Sequence, residues 1–134
     1  TSSAASDVYK RQILQRRSAR AGDRVGYNGT HRLERDSRIV TLGVGYADGY
    51  PRALSNRALV EIASETAPVV GRVSMDSITL DVTDIAESRI AAVDHATILG
   101  SRYDLASMAR DAGTIGYEIL TQLGRRPARR HLGG

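Results

Sequence analysis

The chain has 134 residues, the length of one domain, and its 41% hydrophobic and 25% charged residues exclude wholesale disorder. It contains no cysteine, which excludes disulfides and thiolate metal sites and fits a reducing cytoplasm, and no apolar run reaches the ~18–20 residues of a membrane-spanning helix. The net charge of +4 rests almost entirely on arginines that alternate with acids, as in Arg32-Leu33-Glu34-Arg35-Asp36; with no Phe or Trp to stack bases, a solvated mixed-charge surface is expected rather than a nucleic-acid face.

Residues 1–12 share no periodicity with the rest of the chain and read as a non-native leader, leaving 13–132 as the domain. From Ile13 the pattern is β structure punctuated by glycine turns, the first at Ala21-Gly22-Asp23. The β-branched run Arg38 to Tyr46 predicts a buried strand, ended by Asp48-Gly49 and Pro51. Ala58 to Ile62 and Pro68 to Val73 predict an antiparallel pair joined through Ser64-Glu65-Thr66. Ser77 to Thr83 alternates strictly, placing Ile78, Leu80 and Val82 on one face, and a further short strand is expected at Ala96 to Leu99.

The period then changes. Asp104 to Ala109 and Tyr117 to Leu123 predict two short helices, with Gly113 and Gly124 as stops, and a basic tail runs from Arg125. The expected fold is mainly β: a closed or partly open β-barrel with one or two short helices near the C-terminus. His31, His95 and His131 lack metal-ligand spacing, and Ser74 and Ser77 lack a nucleophile elbow.

Three segments stand out: Val25-Gly26-Tyr27-Asn28-Gly29-Thr30, Gly45-Tyr46-Ala47-Asp48-Gly49-Tyr50-Pro51-Arg52 and Val70-Gly71-Arg72-Val73-Ser74-Met75-Asp76. Singly, each has a structural reading. Tyr27 sits among residues that favour a loop, where it either packs over a barrel mouth or displays a reactive phenol. Tyr46 caps a core strand, Arg72 and Asp76 make a strand-face ion pair, and Met75 fills core.

Taken in order, with Tyr27 and Tyr46 19 residues apart, the segments resemble the C-terminal domain of alanine racemase. Ile115-Gly116-Tyr117-Glu118-Ile119-Leu120 extends the resemblance, which covers Ile13 to Leu123. It implies a pyridoxal-phosphate-dependent isomerase that interconverts L- and D-alanine in the bacterial cytoplasm and supplies D-alanine for cell-wall peptidoglycan. It also implies an N-terminal α/β barrel, outside this chain, that holds the cofactor on a lysine, and a head-to-tail homodimer in which the β domain faces the partner's active site.

In that frame Tyr27 matches the base that serves the L-alanine side. Met75 matches the position whose backbone N–H meets the substrate carboxylate, and Tyr46, Arg72 and Asp76 match residues at the active-site entrance. Two bases on opposite faces of Cα are the simplest way to racemise it. The Schiff base needs a lysine, and Lys10 is the single lysine present, so this chain alone is expected to be inactive. The family's aromatic near Arg125-Arg126-Pro127 is missing here. The alternative reading is a catalytically inactive, stand-alone β-barrel interaction module derived from a racemase.

Overall fold

The computed structural model describes residues 9–26 and 28–124. In chain order the strands are β1 (Lys10–Ala19), β2 (Arg24–Val25), β3 (His31–Arg32), β4 (Ser37–Leu42), β5 (Leu59–Ile62), β6 (Glu65–Pro68), β7 (Ile78–Asp81) and β8 (His95–Thr97). The helices are α1 (Glu87–Ala91), α2 (Leu105–Ala112) and α3 (Gly116–Gly124). Six strands form one antiparallel sheet in the order β6-β5-β8-β1-β4-β7, and β2 and β3 make a separate ribbon.

The two edges of the sheet approach each other. Just past β6, Val69 bridges Leu80 of β7. Val70 N–H donates to the Thr79 carbonyl at 2.9 Å, and Thr79 Oγ1 donates back to the Val70 carbonyl at 2.6 Å. One bridge joins the edges where closure would need a ladder. Of the expected closed or partly open barrel, the closed form is corrected and the structure is an open, barrel-like sheet; past the bridge, Gly71 takes φ +81° and the chain leaves the sheet.

β4 is apolar on both sides because both are covered. Val40 and Leu42 enter the main core with Val60, Ile78, Leu80 and Ile98, while Ile39 joins a second cluster with Ala19, Val25, Leu33 and Val70. Full burial of such a side chain contributes about 1.5–3 kcal/mol relative to exposure. The β2–β3 ribbon carries Val25 and leads into Leu33, so the second cluster pins the ribbon to the outer face of the sheet. β7 keeps its alternation, with Ile78 and Leu80 buried, and Val82, the residue after it, is buried as well.

Several boundaries differ from expectation. Residues 10–12, expected in the leader, belong to β1: Lys10, Arg11 and Gln12 pair with Thr97, Ala96 and His95. The second hairpin strand is Glu65–Pro68, joined to β5 by the two residues Ala63 and Ser64, at φ +53° and +65°. Both lie in the left-handed region, as a two-residue primed turn requires. α1 has five residues, too short to leave a helical period. α2 begins where Asp104 Oδ1 accepts from Ser107 N–H at 3.0 Å and ends at Gly113, φ +74°. Met108 and Ala109 of α2 and Ile119 and Leu123 of α3 enter the main core. Tyr27, residues 1–8, His131 and the Arg125-Arg126-Pro127 tail lie outside the described residues.

Candidate functional site

The loop Gly71–Asp76 leaves the sheet and takes its hydrogen bonds from elsewhere. Three successive backbone N–H groups donate to side-chain oxygens: Gly71 to Asn56 Oδ1 at 2.7 Å, Arg72 to Thr30 Oγ1 at 3.0 Å, and Val73 to Ser55 Oγ at 2.9 Å. Each such bond contributes a net ~0.5–1.5 kcal/mol, and together they replace a strand partner. Ser74 and Ser77 then close a tight turn, Ser74 N–H donating to the Ser77 carbonyl at 3.0 Å and Ser77 N–H to Ser74 Oγ at 3.1 Å. Met75 and Asp76 sit on this turn, and 55% of Met75 is exposed, so it is not core filler. Among the described residues nothing accepts a hydrogen bond from Met75 N–H.

The second segment docks onto the same loop. Tyr46 N–H donates to the Ser74 carbonyl at 3.0 Å and Ala47 N–H to the Met75 carbonyl at 2.9 Å. A Cβ on Gly45 would run into both carbonyls, so the approach needs glycine there. Tyr46 opens a 3-10 turn (Tyr46–Asp48) rather than ending β4, and Asp48 Oδ2 accepts from Gly45 N–H at 3.0 Å. The Tyr46 ring lies under the Arg52 guanidinium, 4.7 Å from centroid to Cζ.

The first segment meets the loop through glycine. The built Cβ of Gly26 would fall 2.6 Å from Gly71 Cα. Gly29 N–H donates to the Gly26 carbonyl at 2.9 Å, so the residues flanking position 27 form a closed turn beside Arg72. Gln15, Arg17, Gly26, Arg72, Ser74 and Thr79 line a cleft of about 250 Å³ here. A wider hollow, about 570 Å³, lies between Tyr46–Ala53 and the two C-terminal helices.

The fold thus brings Tyr46, Arg72, Met75 and Asp76 onto two interlocked loops. Arg72 and Asp76 make no ion pair with each other. Arg52 lies inside a recognised segment, but its stacking on Tyr46 leaves no trace in the sequence. Thr30 also lies inside a recognised segment, but its bond to Arg72, like those of Ser55 and Asn56, leaves no trace in the sequence because the partners lie 15 to 42 residues away. Among the described residues no group of three or more His, Cys, Asp or Glu is placed to hold a metal ion, and no helix is long and apolar enough to cross a membrane.

Lys10 is the first residue of β1, opposite Thr97, and lines neither the cleft nor the hollow. The residues present therefore do not fit a pyridoxal phosphate Schiff base. What they offer is a cleft that carries two arginines, Arg17 and Arg72, and on the adjoining loop a Met75 N–H with no acceptor among the described residues.

An open, mainly-β domain presenting interlocked glycine-rich loops is the class that fold and site define. The chain belongs to the alanine racemase C-terminal domain family, whose model matches residues 8–131. It is 54% identical over 114 residues to an alanine racemase of Acidiphilium cryptum, covering 85% of this chain and 31% of the relative. To a catabolic alanine racemase of Rhizobium johnstonii it is 46% identical over 119 residues, with coverages of 89% and 32%. Its structure is similar to that of Bartonella henselae alanine racemase with covalently bound pyridoxal phosphate, at TM-score 0.80 and 40% identity over 87% of this chain and 32% of that one. The chain thus spans about a third of the length of the relatives it matches.

Proposed function

We propose that this chain acts as the C-terminal domain of an alanine racemase, placing Tyr27 as the base for the L-alanine side of Cα. The observation that supports the reading is the interlocking of the three segments: Gly26, Arg72 and Ser74 line one cleft, and Met75, next to Ser74, is held by the Ala47 N–H of the second segment. Met75 N–H is the donor for the substrate carboxylate, and Tyr46, Arg72 and Asp76 border the entrance. A phenol titrates near pH 10, so a tyrosine base needs positive charge beside it. Arg17 and Arg72 line the cleft that Gly26 also lines.

Pyridoxal phosphate, which acidifies Cα as an electron sink, belongs in this reading to a lysine-bearing barrel domain, and this domain works across a homodimer. The enzyme supplies D-alanine for peptidoglycan in the bacterial cytoplasm. The test replaces the corresponding third of the Acidiphilium cryptum racemase with this chain. The chimaera is expected to racemise alanine, while the 134-residue chain with added pyridoxal phosphate does not. In the chimaera, Tyr27→Phe removes exchange of the Cα proton of L-alanine and leaves the cofactor absorbance intact. Cofactor loss, or undiminished exchange, would sink the assignment of Tyr27; an inactive chimaera that folds and binds cofactor would favour a derived interaction module.

A further inference from the structure

Among the described residues, two joints connect the Gly26–Gly29 turn to the loop that runs from Gly71 to Met75. One is the backbone contact of Gly26 with Gly71, two residues without side chains. The other is the bond from Arg72 N–H to Thr30 Oγ1 at 3.0 Å. Asn56 and Ser55 hold the neighbouring N–H groups of the same loop from a different segment, so they fix the loop without reference to the turn. Thr30 alone among these three acceptors belongs to the Tyr27 segment.

We infer that Thr30 is a positioning residue for proton transfer: its hydroxyl sets the turn bearing Tyr27 and the loop bearing Met75 in one frame. The inference rests on the racemase reading above. Its physical basis is that the hydroxyl accepts the Arg72 N–H at 3.0 Å, so the backbone of the turn and that of the loop are held at one distance through a single short side chain. Without that acceptor the turn and the loop lose the hydrogen bond that ties them, and only the Gly26–Gly71 contact and the Val25–Val70 packing behind it hold them together among the described residues. Reactive geometry tolerates little of this, since a misplacement near 1 Å can cost about a hundredfold in rate.

The test uses Thr30→Val, which keeps the shape and removes the acceptor, and Thr30→Ser, which restores it. In the 134-residue chain, amide hydrogen exchange at Arg72 is expected to accelerate in the valine variant and return to its original rate in the serine variant. In the racemase chimaera, Thr30→Val is expected to lower kcat/KM roughly tenfold to a hundredfold. It is also expected to raise the isotope effect with Cα-deuterated L-alanine and not with Cα-deuterated D-alanine. A merely structural role lowers kcat/KM as well but leaves the two isotope effects where they were. Unchanged Arg72 exchange, or unmoved isotope effects in a folded Thr30→Val enzyme, overturns the assignment of Thr30. A Tyr27→Phe control that keeps L-side proton transfer overturns the racemase role of Tyr27 instead, so the two failures are distinct.

Discussion

Gly26 and Gly71 pack backbone on backbone, so a Cβ built on either lies 2.6 Å from the other's Cα. Both take positive φ, +85° and +81°, which permits this close approach of the first and third segments. Gly71→Ala therefore carries two costs: the left-handed backbone, about 1–2 kcal/mol, and a backbone clash with no flexible atom to yield. Gly113→Ala is the matched control, since Gly113 has φ +74° and nothing within 4 Å of its built Cβ. Urea denaturation of this chain is expected to give a larger loss for Gly71→Ala than for Gly113→Ala. Equal losses would mean that the glycine contact contributes nothing beyond φ.

Tyr50 and Tyr103 lie within the core, 1% and 2% exposed. Tyr103 Oη donates to Asp111 Oδ2 at 2.6 Å, and burial, with that carboxylate beside it, pushes its phenol well above the ordinary value of 10.0. Burial does the same to Tyr50, reinforced by Tyr103 and Asp111. A pKa raised in the folded state contributes stability that is complete below the unfolded value and is lost as pH rises toward the folded one. Thermal stability should therefore begin to fall above pH 10, and the phenolate absorbance of these two tyrosines should appear only with unfolding. Tyr103→Phe should flatten the alkaline decline; a decline of unchanged slope would show that other groups drive it.

The elements legible in the sequence are those whose signal is local. Ile78, Leu80 and Val82 announce β7 by alternation, and Asp104 and Gly113 bracket α2 by capping chemistry. Where long-range packing decides, the sequence is silent. Ala63 and Ser64 adopt left-handed φ without being glycine or asparagine, and this moves the hairpin turn and shifts β6 toward the N-terminus of its expected span. Tyr46 leaves the strand register because its N–H is claimed by the Ser74 carbonyl, 28 residues away by number. The candidate site divides along the same line: the three segments that the fold interlocks stand out in the sequence, whereas the side-chain acceptors that hold the Arg72 loop emerge only from the fold.

Arg52 stacks its guanidinium over the Tyr46 ring at 4.7 Å, and 37% of Tyr46 is exposed, so the pair sits at a wet rim rather than in the core. A cation–π contact of this kind is worth about 0.5–1 kcal/mol at an exposed site. In the racemase chimaera, Arg52→Gln frees the ring and is expected to raise KM about two- to fivefold with kcat little changed, the factor that this energy converts to. L- and D-alanine are mirror images of equal free energy, so kcat/KM must fall by the same factor in both directions. Steady-state kinetics in each direction, with circular dichroism to track the enantiomer, reads both quantities. A fall in kcat at unchanged KM would place Arg52 in proton transfer and not at the entrance, because an interaction made only in the transition state is lost from kcat.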